Sequence, residues 1–168
     1  FNRKKDKFSK VTMQHLHYEY YKLIIPEAFA DWTFAVVRNP YERIISEYKM
    51  KIIKIRKSDQ SFDSFVQESL ERCKLNKQHR DNHIRCQKDF LADYAQIFKI
   101  EDGLETPLKL ACKKLQIRFS GLPKINTGTD QRIKASEKTL KLIQAFYLDD
   151  FEAFKYDLDF IPDKLDLS

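Results

Sequence analysis

Arg38, Asn39, Arg43 and Ser46 are the residues of this sequence whose types and spacing suit the holding of a phosphate. They lie where the apolar run Trp32–Val37 meets a segment in which Ile44, Ile45, Tyr48, Ile52 and Ile53 recur at helical spacing. An apolar, β-rich run without alternation reads as a strand buried on both faces, as in a parallel sheet. Asn39 followed by Pro40 reads as an N-cap with proline at the first helical position, predicting a helix from Pro40 to about Arg56. Arg38 then stands at the C-terminal end of a strand, the edge at which open α/β sheets bind ligands. The helix aims its unpaired N–H groups and positive dipole end at the same crevice. Asn39, Arg43 and Ser46, four and three residues apart, share a helix face. Arg38 and Ser46 together offer a charged fork and a hydroxyl to one phosphate. The competing account is an ordinary strand–helix joint in which Arg38 pairs with Glu42 or Glu47.

The four histidines (His15, His17, His79, His83) do not form a ligand set with nearby carboxylates, and His15-x-His17 alone is a weak zinc cue. No metal site is expected. Cys73, Cys86 and Cys112 are odd in number and include no CxxC pair, which argues against a disulfide framework or structural zinc and for a reducing compartment.

The elements that must carry these residues alternate. A short strand is expected over Lys10–Leu16, then a Tyr-rich helix around Tyr18–Phe29 that Pro26 weakens or divides. After the Trp32–Val37 strand and its helix, Ser61 or Asp63 opens a helix carrying Phe62, Phe65, Val66 and Leu70. Ala95–Ile100 reads as a strand, Thr106–Leu115 as a helix, Phe119–Arg132 as a loop and Ser136–Phe154 as the last helix. Strand–helix alternation of this kind is an α/β layer architecture, helix-rich, with helices flanking a parallel sheet. Two or three strands are few for such a sheet.

The chain has 168 residues, 42% of them hydrophobic and 13% aromatic, which is one domain with enough apolar side chains for a core rather than a disordered polyelectrolyte. No linker or repeat divides residues 1–168, and residues 1–10 are basic and expected to fray. No apolar run approaches the length of a membrane helix and no signal-peptide pattern opens the sequence. A net charge of +6 suits an anionic partner. Nucleic-acid motifs are absent and the aromatics mostly sit at core spacing, so nucleic acid is not the expected partner.

The segment VRNPYERIISEY, residues 37–48, resembles the 3'-phosphate-binding motif of sulfotransferases, in particular the carbohydrate branch related to heparan and chondroitin sulfate enzymes. The resemblance continues in order through Gln14-His15-Leu16, His83–Leu91, Phe98–Glu101, Leu122–Asn126 and Leu148–Tyr156, covering roughly residues 11–157. It implies a P-loop-transferase-like sheet. The implied reaction transfers a sulfuryl group from 3'-phosphoadenosine 5'-phosphosulfate (PAPS), which leaves as 3',5'-ADP, to a hydroxyl of a carbohydrate, neutral or anionic. By the same resemblance Arg38 and Ser46 hold the 3'-phosphate, and Lys124 and Asn126 lie on a loop that closes over the nucleotide. His15 or His17 is the base for the acceptor hydroxyl, since imidazole titrates near neutral pH. His83, Arg85 and Gln87 line the acceptor cleft.

One departure is large. The family's strand–loop–helix of the type PKxGSTS, which binds the 5'-phosphosulfate, belongs upstream of the histidine segment and is not found there. The chain therefore reads as a sulfotransferase domain without its first strand and phosphate loop, with little turnover expected of it alone. Pro123–Thr129 imitates the motif but falls where the family has its later loop. A nucleotide kinase is excluded by the lack of a GxxxxGK[ST] loop. The remaining alternative is a catalytically incomplete sulfotransferase-like protein acting as a basic glycan- or nucleotide-binding module. The sequence points to a cytoplasmic, bacterial setting, or to the Golgi lumen if an N-terminal anchor has been removed. It leaves the oligomeric state open.

Overall fold

The computed structural model describes residues 12, 15–54, 59–122 and 131–167. Phe34–Val37 forms strand β1, which pairs in parallel with β2 (Gln96–Lys99), Phe34 opposite Gln96 and Val37 opposite Lys99. The Trp32 indole N–H donates to the Gln96 side-chain oxygen at 3.0 Å and the ring stacks on Phe34, closing the entry to the pair. Helix α2 (Pro40–Tyr48) starts as its cap dictates: Asn39 accepts from the Tyr41 N–H at 2.9 Å and Pro40 fills the first helical position. It passes into a π-helical turn, Lys49–Lys54, instead of continuing as an α-helix to Arg56.

Pro26 acts as its chemistry predicts. It lacks an N–H and pushes Ile25 into the extended region (φ −120°), so α1 stops at Tyr18–Ile24 and a 3-10 turn, Glu27–Phe29, follows. Helix α3 (Phe62–Leu75) is capped by the Ser61 hydroxyl, and α4 covers Glu105–Lys114. The last predicted helix is two, α5 (Glu137–Phe146) and α6 (Leu148–Ala153), broken at Tyr147, whose backbone (φ −104°, ψ 20°) leaves the helical region. The break lets the Tyr147 hydroxyl reach the Ile84 carbonyl at 2.7 Å from a fully buried position.

Three expectations need correcting. Thr12 and His15 belong to a turn, the His15 N–H donating to the Thr12 carbonyl at 2.9 Å, and not to a strand over Lys10–Leu16. A second parallel pair, β3 (Ile133–Ala135) with β4 (Leu165–Leu167), was not foreseen because three-residue strands carry too little pattern to read. Val36 is 38% exposed, so β1 is not buried on both faces. Among the described residues β1 has β2 as its one neighbour, and the described elements cover the Val37 face but leave the Val36 face open.

The core lies in the helices. Tyr41, Ile44 and Ile45 of α2 meet Phe62, Phe65, Val66 and Leu70 of α3, Ile143 of α5 and Phe151 of α6. Tyr48 meets both Phe62 and Phe65 edge to face at 5.3 Å, the geometry that aromatic quadrupoles favour. Residues 1–10, expected to fray, lie outside the described residues. No helix among the described residues is long and apolar enough to cross a membrane.

Candidate active site

His15 stands in a hydrogen-bonded network built from three parts of the chain. Its Nδ1 lies 2.9 Å from Asp81 Oδ2 and 3.0 Å from Thr12 Oγ1. The Thr12 hydroxyl donates to the same Asp81 oxygen at 2.9 Å, and the Thr12 N–H donates to the other at 2.7 Å. An ionised carboxylate only accepts, so Nδ1 must carry the ring proton. Burial alone would raise the Asp81 pKa, but the bonds from Thr12 and His15 outweigh it and hold the carboxyl below its ordinary range.

The segment that delivers Asp81 is unusual. Arg80, Asp81 and Asn82 all have positive φ (53°, 57° and 66°), three non-glycine residues in succession in the left-handed region. That conformation costs roughly 1–2 kcal/mol per residue, least for Asp and Asn. Long-range contacts hold it: Asn82 Nδ2 donates to the His15 carbonyl at 2.8 Å, and the Arg80 guanidinium lies 4.8 Å from the centre of the Phe65 ring in the core. His83 follows, its ring edge-on to His15 at 4.5 Å and its Nδ1 3.2 Å from Glu47 Oε2. Glu47 is buried, which opposes ionisation, yet His83, Lys51 and Arg80 together hold its pKa down. His15, Asp81 and His83 offer ligand-type atoms within 4.8 Å of one another, the group among the described residues that a divalent ion could use. That group is not the His15-x-His17 pair of the sequence.

His17 sits elsewhere. It is buried, stacks on Tyr20 at 4.5 Å and occupies the position just before α1, with Nδ1 unpartnered.

A cleft of about 460 Å³ opens on the β1 side of this network. His15, Arg38, Arg43, Ser46, Glu47, His83 and Gln87 line it, so residues spread over more than seventy positions face one space. Arg38 has no carboxylate partner among the described residues, and neither Glu42 nor Glu47 takes it. Arg43 lies 5.8 Å from the Tyr147 ring, and its Nη1 is a buried donor with no partner. An unpaired buried guanidinium nitrogen beside an exposed serine hydroxyl and a second guanidinium fits an anionic group such as a phosphate. Arg38 also lines a second cleft of about 540 Å³ with Lys99, Lys155 and Lys164.

Arg38 owes its place to Gln87. The Gln87 side chain accepts from the Arg38 N–H at 2.9 Å and donates to the Arg38 carbonyl at 2.8 Å, holding the peptide groups on both sides of that residue. Gln87 is fixed in turn by Asp150, whose buried carboxylate accepts the N–H groups of Gln87 and Lys88 at 2.8 and 2.9 Å. Burial raises the Asp150 pKa, and these N–H bonds and Arg43 only partly offset it. Burial and the Asp150 charge push the nearby Cys86 thiol up to about 12, so Cys86 is a neutral packing group. On the other side of Arg38, Glu101 accepts from the Asn39 N–H at 2.7 Å and from the Tyr156 hydroxyl at 2.9 Å, bracing the start of α2.

Arg85 is not in the cleft: its Nε donates to Asp89 at 2.6 Å. Lys124 and Asn126 lie outside the described residues. The sequence reading missed Asp81, Thr12 and Asn82. The Gln78–Arg85 stretch has no apolar period, and its one local signal is the tolerance of Asp and Asn for left-handed backbone.

No curated protein and no solved structure is significantly similar to this chain. The model of the sulfotransferase family does match it, over residues 1–157, a span that holds the Arg38 strand–helix junction, the histidine network and the Asp150 brace. The chain belongs to the sulfotransferase family.

Proposed function

We propose that this chain is a PAPS-dependent sulfotransferase domain whose acceptor is a carbohydrate hydroxyl. The observation that carries the reading is the cleft at the end of β1 lined by His15 and His83 together with two guanidinium groups and a serine hydroxyl. PAPS, when bound, supplies a sulfuryl group activated by its link to phosphate. Arg38 and Ser46 would hold the 3'-phosphate, and the unpartnered Nη1 of Arg43 adds a third donor. His15 takes the proton of the acceptor hydroxyl at Nε2, the nitrogen whose lone pair remains when Nδ1 carries the hydrogen. His83, beside His15, is the acceptor-side residue best supported by position. The side chains of Gln87 and Arg85 are committed to the Arg38 peptide and to Asp89. An excess of Lys and Arg suits an anionic glycan.

Calorimetric titration with 3',5'-ADP, with 5'-AMP as the control lacking the 3'-phosphate, tests the reading. Preference for the bisphosphate that disappears in Arg38→Ala supports it. Equal binding of the two nucleotides, with retention on heparin that falls steeply with salt, would favour the alternative of a basic glycan-binding module.

A further inference from the structure

We propose that Asp81 is a positioning residue for His15: its carboxylate keeps the ring proton on Nδ1 and so leaves the basic lone pair on Nε2. This rests on the reading of His15 as the base. Asp81 Oδ2 receives both the Thr12 hydroxyl and His15 Nδ1, at 2.9 Å each, and Thr12 Oγ1 lies 3.0 Å from the same nitrogen. The threonine has one hydroxyl proton and gives it to the carboxylate. Toward Nδ1 it can therefore only accept, and the imidazole must be the donor to both oxygens. The opposite tautomer would set the Nδ1 lone pair against Asp81 Oδ2 with no proton between them, whichever way the threonine hydroxyl turns.

The backbone supports the assignment. Residues 80–82 hold a left-handed course without a glycine, and the contacts that keep them there converge on the histidine turn: Asp81 on Thr12 and His15, Asn82 on the His15 carbonyl. An unfavourable backbone held by contacts to one histidine is the arrangement expected where that ring must be oriented. The second carboxylate nearby, Glu47, is engaged with His83, so the two imidazoles have separate acidic partners.

The test is the tautomer itself, read by long-range ¹H–¹⁵N correlation on ¹⁵N-histidine-labelled protein at pH 8 with a chelator present. The His15 signals are assigned by their loss in His15→Gln. The expected wild-type spectrum shows the proton on Nδ1, and Asp81→Asn moves most of it to Nε2, because the amide can donate to Nδ1. Thr12→Val, which keeps the carboxylate, is expected to retain the Nδ1–H form. A wild-type ring protonated at Nε2 overturns the proposal without any variant. So does an unchanged tautomer in Asp81→Asn with a native circular dichroism spectrum, or a switch in Thr12→Val. The 3',5'-ADP titration on the same samples separates this from the broader reading. An Nδ1–H ring that responds to Asp81 in a protein without preference for the bisphosphate leaves the Asp81–His15 assignment standing and removes the sulfotransferase site.

Discussion

The helical block and the β1–β2 side of this molecule are held by different forces. In the block, α2, α3 and α5 present apolar residues at helical spacing and bury them against one another, with Phe65, Val66 and Ile143 fully sequestered. On the β1 side little is sequestered: Val36 and Ile97 are each 38% exposed and α1 buries no residue. What fixes that side is a set of polar side chains gripping distant backbone: Gln87 on Arg38, Glu101 on Asn39, Asp81 on Thr12 and Asn82 on His15. Apolar packing is non-directional and tolerates small shifts, whereas a hydrogen bond fixes distance and angle. The side that carries Arg38 and His15 is the side built from hydrogen bonds.

If that contrast holds, truncating the block should cost stability and truncating a clamp should cost ligand binding. Phe65→Ala is the largest expected effect, about 3–5 kcal/mol of unfolding free energy by denaturant titration, since it empties a fully buried site and removes the surface under Arg80. A loss under 1 kcal/mol would break the comparison from the core side. Arg38→Ala should weaken 3',5'-ADP binding by roughly 10- to 100-fold, the scale of a lost charge-assisted hydrogen bond, while leaving the unfolding midpoint nearly in place. Gln87→Ala should reproduce part of that binding loss by releasing the Arg38 backbone. Equal affinity to wild type would show that Arg38 needs no clamp.

Acid should weaken both sides, since Asp81 belongs to the clamps while Glu47 and Asp63 lie on α2 and α3 of the block. The Asp81, Glu47 and Asp63 carboxyls are all held below their ordinary values, by hydrogen bonds and cationic neighbours that outweigh burial. A depressed carboxyl contributes stability that is present above its unfolded value, about pH 4 to 4.5, and is lost as pH falls through the folded one. Asp150, raised by burial, works the other way: its contribution is greatest when protonated and fades as pH rises through its folded pKa. The expected record is a loss of stability below about pH 4.5, shallower in Asp81→Asn. The smallest effect is Ser61→Ala, about 1 kcal/mol from the cap of α3 by thermal unfolding.

Local patterns were the legible part. The Asn39-Pro40 start of α2, the Ser61 start of α3, the Gln96–Lys99 strand and the disruption at Pro26 all follow from one to four adjacent residues, because caps, proline and periodicity act within a turn. The break at Tyr147 was not legible, since what bends the chain there is a hydroxyl bond to Ile84, sixty-three residues away. Arg38, Ser46 and His15 were picked out by type, and only the fold sets them around one cleft.

The sequence by itself determined the family, the capped strand–helix junction that follows Arg38 and the helices of the core, because these are written in contiguous residues and short spacings. The tertiary structure alone decided that His15 and not His17 faces the cleft, that Asp81 is its partner and that Gln87, itself in the cleft lining, holds the Arg38 backbone. Hydrogen bonds between residues 12 and 81, 15 and 82, or 38 and 87 depend on where the packed helices bring the backbone, and no local preference encodes them.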